Sequence, residues 1–194
     1  MKEVALSKRD AEIVAYDRRF RKEEEIEDIE IFLAAYERAT GNAMEIEDIG
    51  ESPDATCARP DGTPVGVEHT RVRRSPDAAH WDSVFHRRDE MDVGETLDEI
   101  TRLIAQKAER RKNFRTSRNI LFVALYESDF DVVVRILENF PLVYAELAGF
   151  DEIWIADFKG IRDGAHREAR LFGLFPEAFG YVTERSSYDQ KPYG

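Results

Sequence analysis

Apolar residues fall into a helical rhythm between Lys22 and Ala39, where Ile26, Ile29, Leu33 and Tyr36 recur at spacings of three and four and predict a helix with one buried face. Gly41 supplies its stop. The period then shortens. Met44 to Ile49 alternates, and the stretch from Ala55 to Pro64 reads as a strand, a Pro60-Asp61-Gly62 turn and a return, leading into a second strand that runs from Val65 towards Val72. Thr96 to Lys112 resumes helical spacing with Leu97, Ile100, Leu103 and Ile104 inward, and Thr96 with Glu99 has the spacing of a capping box. Ile120 to Tyr126 is continuously apolar, as in a central strand covered on both faces. Asp131 to Leu147 predicts a helix broken near Pro141, Ile153 to Phe158 a further strand, and Arg170 to Phe175 an edge strand. Arg74 to Gly94 has no clear period and reads as an insertion or loop. Residues 1–21 are an arm or the start of a helix, 22–185 form one domain, and 186–194 are a loose tail. The order is helix, three strands, helix, strand and a C-terminal α/β extension. It predicts an α/β fold in which helices flank a mixed β-sheet.

Composition narrows the possible partners. The chain has 194 residues, 42% of them hydrophobic, which is enough for one well-buried core. A net charge of -12 argues against a protein that grips nucleic acid by bulk electrostatics, so any phosphate contact has to be local. The single cysteine, Cys57, excludes an intramolecular disulfide and a thiolate cluster for zinc, and fits a reducing cytoplasm. No apolar run approaches the length of a membrane span, and the charged N-terminus lacks the apolar stretch of a signal peptide. The expectation is a soluble, cytoplasmic protein with no membrane partner.

Asp54 and Glu68 carry the candidate chemistry. Both carboxylates are set into apolar strand patterns, where a buried charge requires a cation or another partner. The hairpin between them lays the two side by side, as a divalent-metal site for phosphodiester hydrolysis requires. His69 alternates with Glu68, so its imidazole faces the other way and reads as a core histidine, while its carbonyl stays available to a metal. His80 and His86 are six apart, which matches no regular ligand spacing. Pro76-Asp77 lacks a flanking strand and reads as a turn.

The segments Thr40-Gly41, Glu51-Ser52-Pro53-Asp54, Gly62 and Gly66-Val67-Glu68-His69-Thr70, in this order of elements, resemble the PD-(D/E)XK nucleases of the restriction-endonuclease-like fold. The likeness covers about Lys22 to Tyr126. More narrowly, these segments look like a group of small bacterial proteins with this core. The resemblance implies that Asp54 and Glu68 bind one or two divalent ions, Mg2+ or Mn2+, and that a lysine two residues after the Glu handles the water. Thr70 stands at that lysine position and brings a hydroxyl without a charge.

Some members of the superfamily carry the lysine on the following helix. Lys107 lies three, four and seven residues after Ile104, Leu103 and Ile100, on the inward stripe, and is the candidate replacement. Its alternative is a stem that runs past the sheet edge into solvent. The superfamily also draws a Glu from its first helix, which points to Glu30 and then Glu27, against the plainer reading of a solvated acidic face. Arg71, Arg73, Arg74 and Arg111, with Arg110, Arg115 and Arg118, would form a local phosphate-binding rim for DNA or RNA, or else simply balance surface charge. The leading expectation is a metal-dependent nuclease. Its rivals are a degenerate nuclease fold acting as a nucleic-acid-binding or protein-interaction subunit, in a homodimer or with another protein, and a metal-dependent enzyme for a small phosphorylated substrate.

Overall fold

The computed structural model describes residues 8–74, 90–139, 148–165 and 168–176. Helix α1 (Lys8–Thr40) is followed by strands β1 (Glu45–Ile49), β2 (Ala55–Ala58) and β3 (Pro64–Val72). Then come α2 (Val93–Arg110), a 3-10 turn (Arg111–Asn113), β4 (Arg118–Leu125), α3 (Phe130–Asn139), β5 (Glu152–Asp157), the short α4 (Lys159–Arg162) and β6 (Arg170–Phe175). The strands form one mixed sheet in the order β1-β2-β3-β4-β5-β6. β3, β4 and β5 are parallel, and the pairings β1 with β2, β2 with β3 and β5 with β6 are antiparallel. The chain is therefore an α/β protein with helices on both faces of the sheet. Among the described residues no helix is long and apolar enough to cross a membrane.

Strand alternation sorts the core into two layers. Ile29, Phe32 and Tyr36 of α1 pack on Val65, Val67, Ile120, Phe122 and Trp154. Ile100, Leu103 and Ile104 of α2, with Val133, Val134 and Leu137 of α3, pack on Leu121, Val123, Leu125, Ile153 and Ile155. β4 contributes to both layers, which is why its sequence is unbroken by polar positions. The Phe32 and Phe122 rings stack with centroids 4.3 Å apart and planes within 3°, fixing α1 over the middle of the sheet.

Several boundaries differ from the sequence expectation. α1 begins at Lys8, so residues ahead of Lys22 belong to the helix, although their charged composition gives no apolar period. α2 begins at Val93, and its N-cap is Asp92, whose carboxylate accepts a 2.8 Å hydrogen bond from Gly94 N. Thr96 is buried inside the helix instead of capping it, with its hydroxyl bonded to Asp92 O and to Ser128 Oγ. A cap already present one turn earlier leaves the Thr96 and Glu99 spacing without that role. The helix stops at Arg110, and Lys112 falls in the 3-10 turn. The break near Pro141, the histidines at 80 and 86, Pro76-Asp77 and the tail from Ser186 lie outside the described residues.

Gly66, in the middle of β3, is required sterically. A Cβ there would lie 2.5 Å from Thr116 Oγ1, 2.6 Å from Asn119 Oδ1 and 3.1 Å from Pro53 Cγ. Its backbone is paired with Thr56 on one side and Asn119 on the other, so the strand cannot shift to make room. Gly66→Ala is therefore expected to destabilise the fold by about 1–3 kcal/mol through overpacking. A urea unfolding curve checks this, and a midpoint equal to wild type would show that the Thr116 and Asn119 side chains move aside freely.

Candidate active site at the end of the β2–β3 hairpin

The hairpin register sets the site. Ala55 pairs with Val67, so Asp54 and Glu68 fall next to each other one step beyond that pair. Ala55 and Val67 turn towards α1, which leaves Asp54 and Glu68 on the α2 face by alternation. Two reciprocal hydrogen bonds lock the arrangement: Asp54 N donates to Glu68 Oε2 at 3.2 Å, and His69 N donates to Asp54 Oδ2 at 2.8 Å. The preceding loop is held by Gly50 N donating to Asp54 O at 3.0 Å, and by Lys22 Nζ of α1 donating to Gly50 O at 2.6 Å.

Lys107 completes the cluster from the last turns of α2. Its Nζ lies 2.7 Å from Glu68 Oε1 and 3.3 Å from Asp54 Oδ2. The side chain is only 12% exposed, so this is a desolvated contact, unlike a surface ion pair. Ile100, Leu103 and Ile104, all buried, anchor the helix stripe that aims it. Burial pushes the Glu68 carboxyl above its ordinary pKa and the neighbouring Asp54 charge adds to this, with Lys107 opposing both. Thr70 is buried two residues beyond Glu68 on the same face. The chain thus brings Asp54, Glu68 and a cationic nitrogen together, with the charge coming from the helix and not from position 70.

The two carboxylates are oxygen donors of the kind Mg2+ takes, and the Lys107 ammonium bonded to both competes for them. Among the described residues no group of three or more His, Cys, Asp or Glu side chains gathers to hold a metal. Glu30 does not join the pair. It is exposed on α1, two positions and some 200° around the helix from buried Asp28, and Glu27 is exposed as well.

The buried acid of α1 is Asp28, and not Glu30 or Glu27. Asp28 Oδ2 accepts from Arg71 Nε at 2.6 Å and lies 3.1 Å from His69 Nε2, off the line of a straight hydrogen bond. The Tyr126 hydroxyl donates to Asp28 Oδ1, and Arg71 also donates to Glu24 at 2.7 Å. Burial raises the Asp28 pKa, but the close approach of the His69 ring, the Tyr126 hydrogen bond and the Arg71 charge outweigh it and leave the carboxyl below its ordinary value. Burial depresses the His69 pKa, so this ring, stacked on Phe122, is neutral. Asp28 was legible in principle, since with Phe32 and Ala35 it keeps spacings of four and seven on the inward face.

Alternation also relocates the arginines. Arg71 and Arg73 share the parity of His69, and both guanidiniums lie over the Tyr126 ring on the α1 side, at 5.3 and 4.9 Å from its centroid. Arg74 donates through N and Nε to Glu127. The Arg111 guanidinium packs against Gly149, 3.0 Å from where a Cβ would stand. Arg71 and Arg73 therefore lie across the sheet from Asp54 and Glu68 and do not border the pair as the expected rim required. Arg110, in the last turn of α2, and Arg115 are both exposed. Compared with known proteins, the chain matches no family profile, no curated protein and no solved structure.

Proposed function

We propose that this protein is a divalent-metal-dependent nuclease that hydrolyses phosphodiester bonds of DNA or RNA on a restriction-endonuclease-like core. The observation that carries the reading is the direct contact of Asp54 and Glu68, paired by one hairpin, with Lys107 from a helix distant in sequence. A buried polar cluster that serves only the fold is matched or bettered by apolar residues, so this placement is better explained by chemistry. The succession of α1, three antiparallel strands, α2 and the parallel β4 supports the same core.

Asp54 and Glu68 would hold Mg2+ or Mn2+, and that ion when bound supplies Lewis acidity and lowers the pKa of water at the site. The His69 amide fixes the Asp54 carboxylate through Oδ2. Lys107 holds a positive charge beside both carboxylates, where it orients the attacking water or offsets charge developing on the phosphate. Thr70 adds a neutral hydroxyl on the same face. Arg110 and Arg115 would draw the phosphodiester backbone to the site.

The test is titration of Mg2+ and Mn2+ against labelled single- and double-stranded DNA and RNA. Cleavage of at least one substrate, absent with chelator, is expected. The Arg110→Ala/Arg115→Ala double variant is expected to bind oligonucleotides more weakly and with a shallower dependence on salt, by about two units of phosphate contact. A specific observation keeps the interaction-subunit reading in view: Arg71, Arg73, Arg74 and Arg111 are engaged within the protein. Absence of any nucleic-acid binding across these substrates would transfer the assignment to that reading.

A further inference from the structure

We infer that the cleft between α1 and the ends of the parallel strands is a binding site for a small zwitterion, a free α-amino acid with an apolar side chain. The cleft lies on the α1 side of the sheet, across from Asp54 and Glu68, so the inference stands apart from the metal-dependent reading. Its volume is about 210 Å³, smaller than the clefts that take drug-sized ligands. The α1 wall is acidic, with Glu24, Glu27 and Asp28, and the wall at the strand ends carries Arg71, Arg73 and Arg162.

The ion pairs already made decide what is left for a ligand. Arg71 is taken by the α1 wall, with Nε 2.6 Å from Asp28 Oδ2 and Nη1 2.7 Å from Glu24 Oε2. Arg73, Arg162 and Glu27 have no ion-pair partner among the described residues. The Arg73 guanidinium lies over the Tyr126 ring, 4.9 Å from its centroid, which fixes its position and leaves its N–H groups to donate elsewhere.

Three arginines and three carboxylates balance, so the cleft has no net charge with which to hold a simple anion. A phosphate drawn to Arg73 and Arg162 would meet Glu27 with nothing to offset it. A zwitterion answers both walls, its carboxylate accepting from Arg73 and Arg162 and its ammonium donating to Glu27. A peptide carries its two charged ends apart, which leaves the free amino acid as the class that fits. Ile31, Tyr126 and Ile161 are only partly buried against the core, with buried Phe158 among them. An aliphatic or aromatic side chain laid on them takes that surface out of water.

The experiment is an amide NMR titration of the full chain with L-leucine and L-phenylalanine, beside phenylpropionate, phenethylamine and phenyl phosphate. Saturable binding of at least one amino acid is expected, with a Kd of about 1 mM or tighter and with shifts concentrated at Arg73, Tyr126 and Arg162. Each analogue that lacks one charge, and phenyl phosphate, should bind at least about tenfold more weakly. Arg73→Gln and Arg162→Gln should each weaken the amino acid about tenfold, and Glu27→Gln about threefold. Glu27→Gln should not weaken phenylpropionate, which has no ammonium. Glu37→Gln, on the same helix outside the cleft, is the control and should bind as wild type. All four substituted side chains are exposed, so the variants keep the fold. No saturation by either amino acid up to about 10 mM would overturn the inference. So would phenyl phosphate or phenylpropionate binding as tightly as the amino acid, which would make the cleft a plain anion site, or a Glu27→Gln variant that binds the amino acid as wild type.

Discussion

Glu68→Gln is expected to abolish metal-dependent hydrolysis, by on the order of a thousandfold or more, while the protein stays folded. The substitution keeps the shape of the side chain and removes one of the two charges that would hold the ion. Lewis-acid stabilisation of a phosphoryl transition state is worth several kcal/mol, and each ~1.4 kcal/mol lost is a factor of ten in rate. The fold should not suffer equally. Burial and the adjacent Asp54 charge raise the Glu68 pKa, so its ionisation costs the folded chain something that an amide of the same shape avoids, while Lys107 keeps Asp54 as its partner. Initial rates on a labelled oligonucleotide with Mn2+, set beside a thermal melt of the same sample, separate the two effects. A variant that melts as wild type and retains activity within tenfold would remove Glu68 from the machinery and the nuclease reading with it.

The largest expected loss of stability comes from the other face of the sheet. Asp28→Ala should cost about 3–5 kcal/mol, because it takes from a largely buried Arg71 its buried partner, leaving only half-exposed Glu24, and leaves the Tyr126 hydroxyl without its acceptor. Acid should reproduce part of this in the wild type. The His69 pKa is lower in the folded state than its ordinary 6.5, so below that pH the unfolded chain takes up a proton first and stability begins to fall. The Asp28 pKa is depressed below its ordinary 3.8; its contribution is whole above that value and disappears as pH drops through the lower folded one. Urea unfolding followed from neutral pH into acid should show both stages. His69→Gln should flatten the first and Asp28→Ala should lose the second. A wild-type profile that is flat between pH 6.5 and pH 3.8 would contradict the burial of a neutral His69.

The sequence made some of these features plain and hid others for identifiable physical reasons. β4 announced itself because a strand covered on both faces admits no polar residue, and the hairpin because Gly62, at a φ of 79°, marks a turn that few other residues can make. The pairing of Asp54 with Glu68 followed from that turn. The inward aim of Lys107 followed from a 3.6-residue period with three aliphatic reference points. α1 was harder, since a helix acquires a readable stripe only where it touches the sheet and its first turns offer none. Asp28 escaped for the opposite reason. A carboxylate on an acidic helix looks solvated until the residues that neutralise it, Arg71 and Tyr126, are known to lie beneath it. The arginine rim was drawn from proximity in sequence, whereas successive strand residues face opposite sides, so neighbours of Glu68 could be as far from it as the sheet allows.

β1 closes one side of the sheet with Glu45, Glu47 and Asp48 exposed along five residues, and its pairing with β2 is irregular between Ile46 and Asp48. An unpaired strand border is ordinarily a template for further strands. Here a second molecule adding itself in the same way would stack carboxylates against carboxylates on a backbone that has already lost its even spacing. Sheet continuation through this border is thereby discouraged at neutral pH, and any assembly of copies has to be made through another surface.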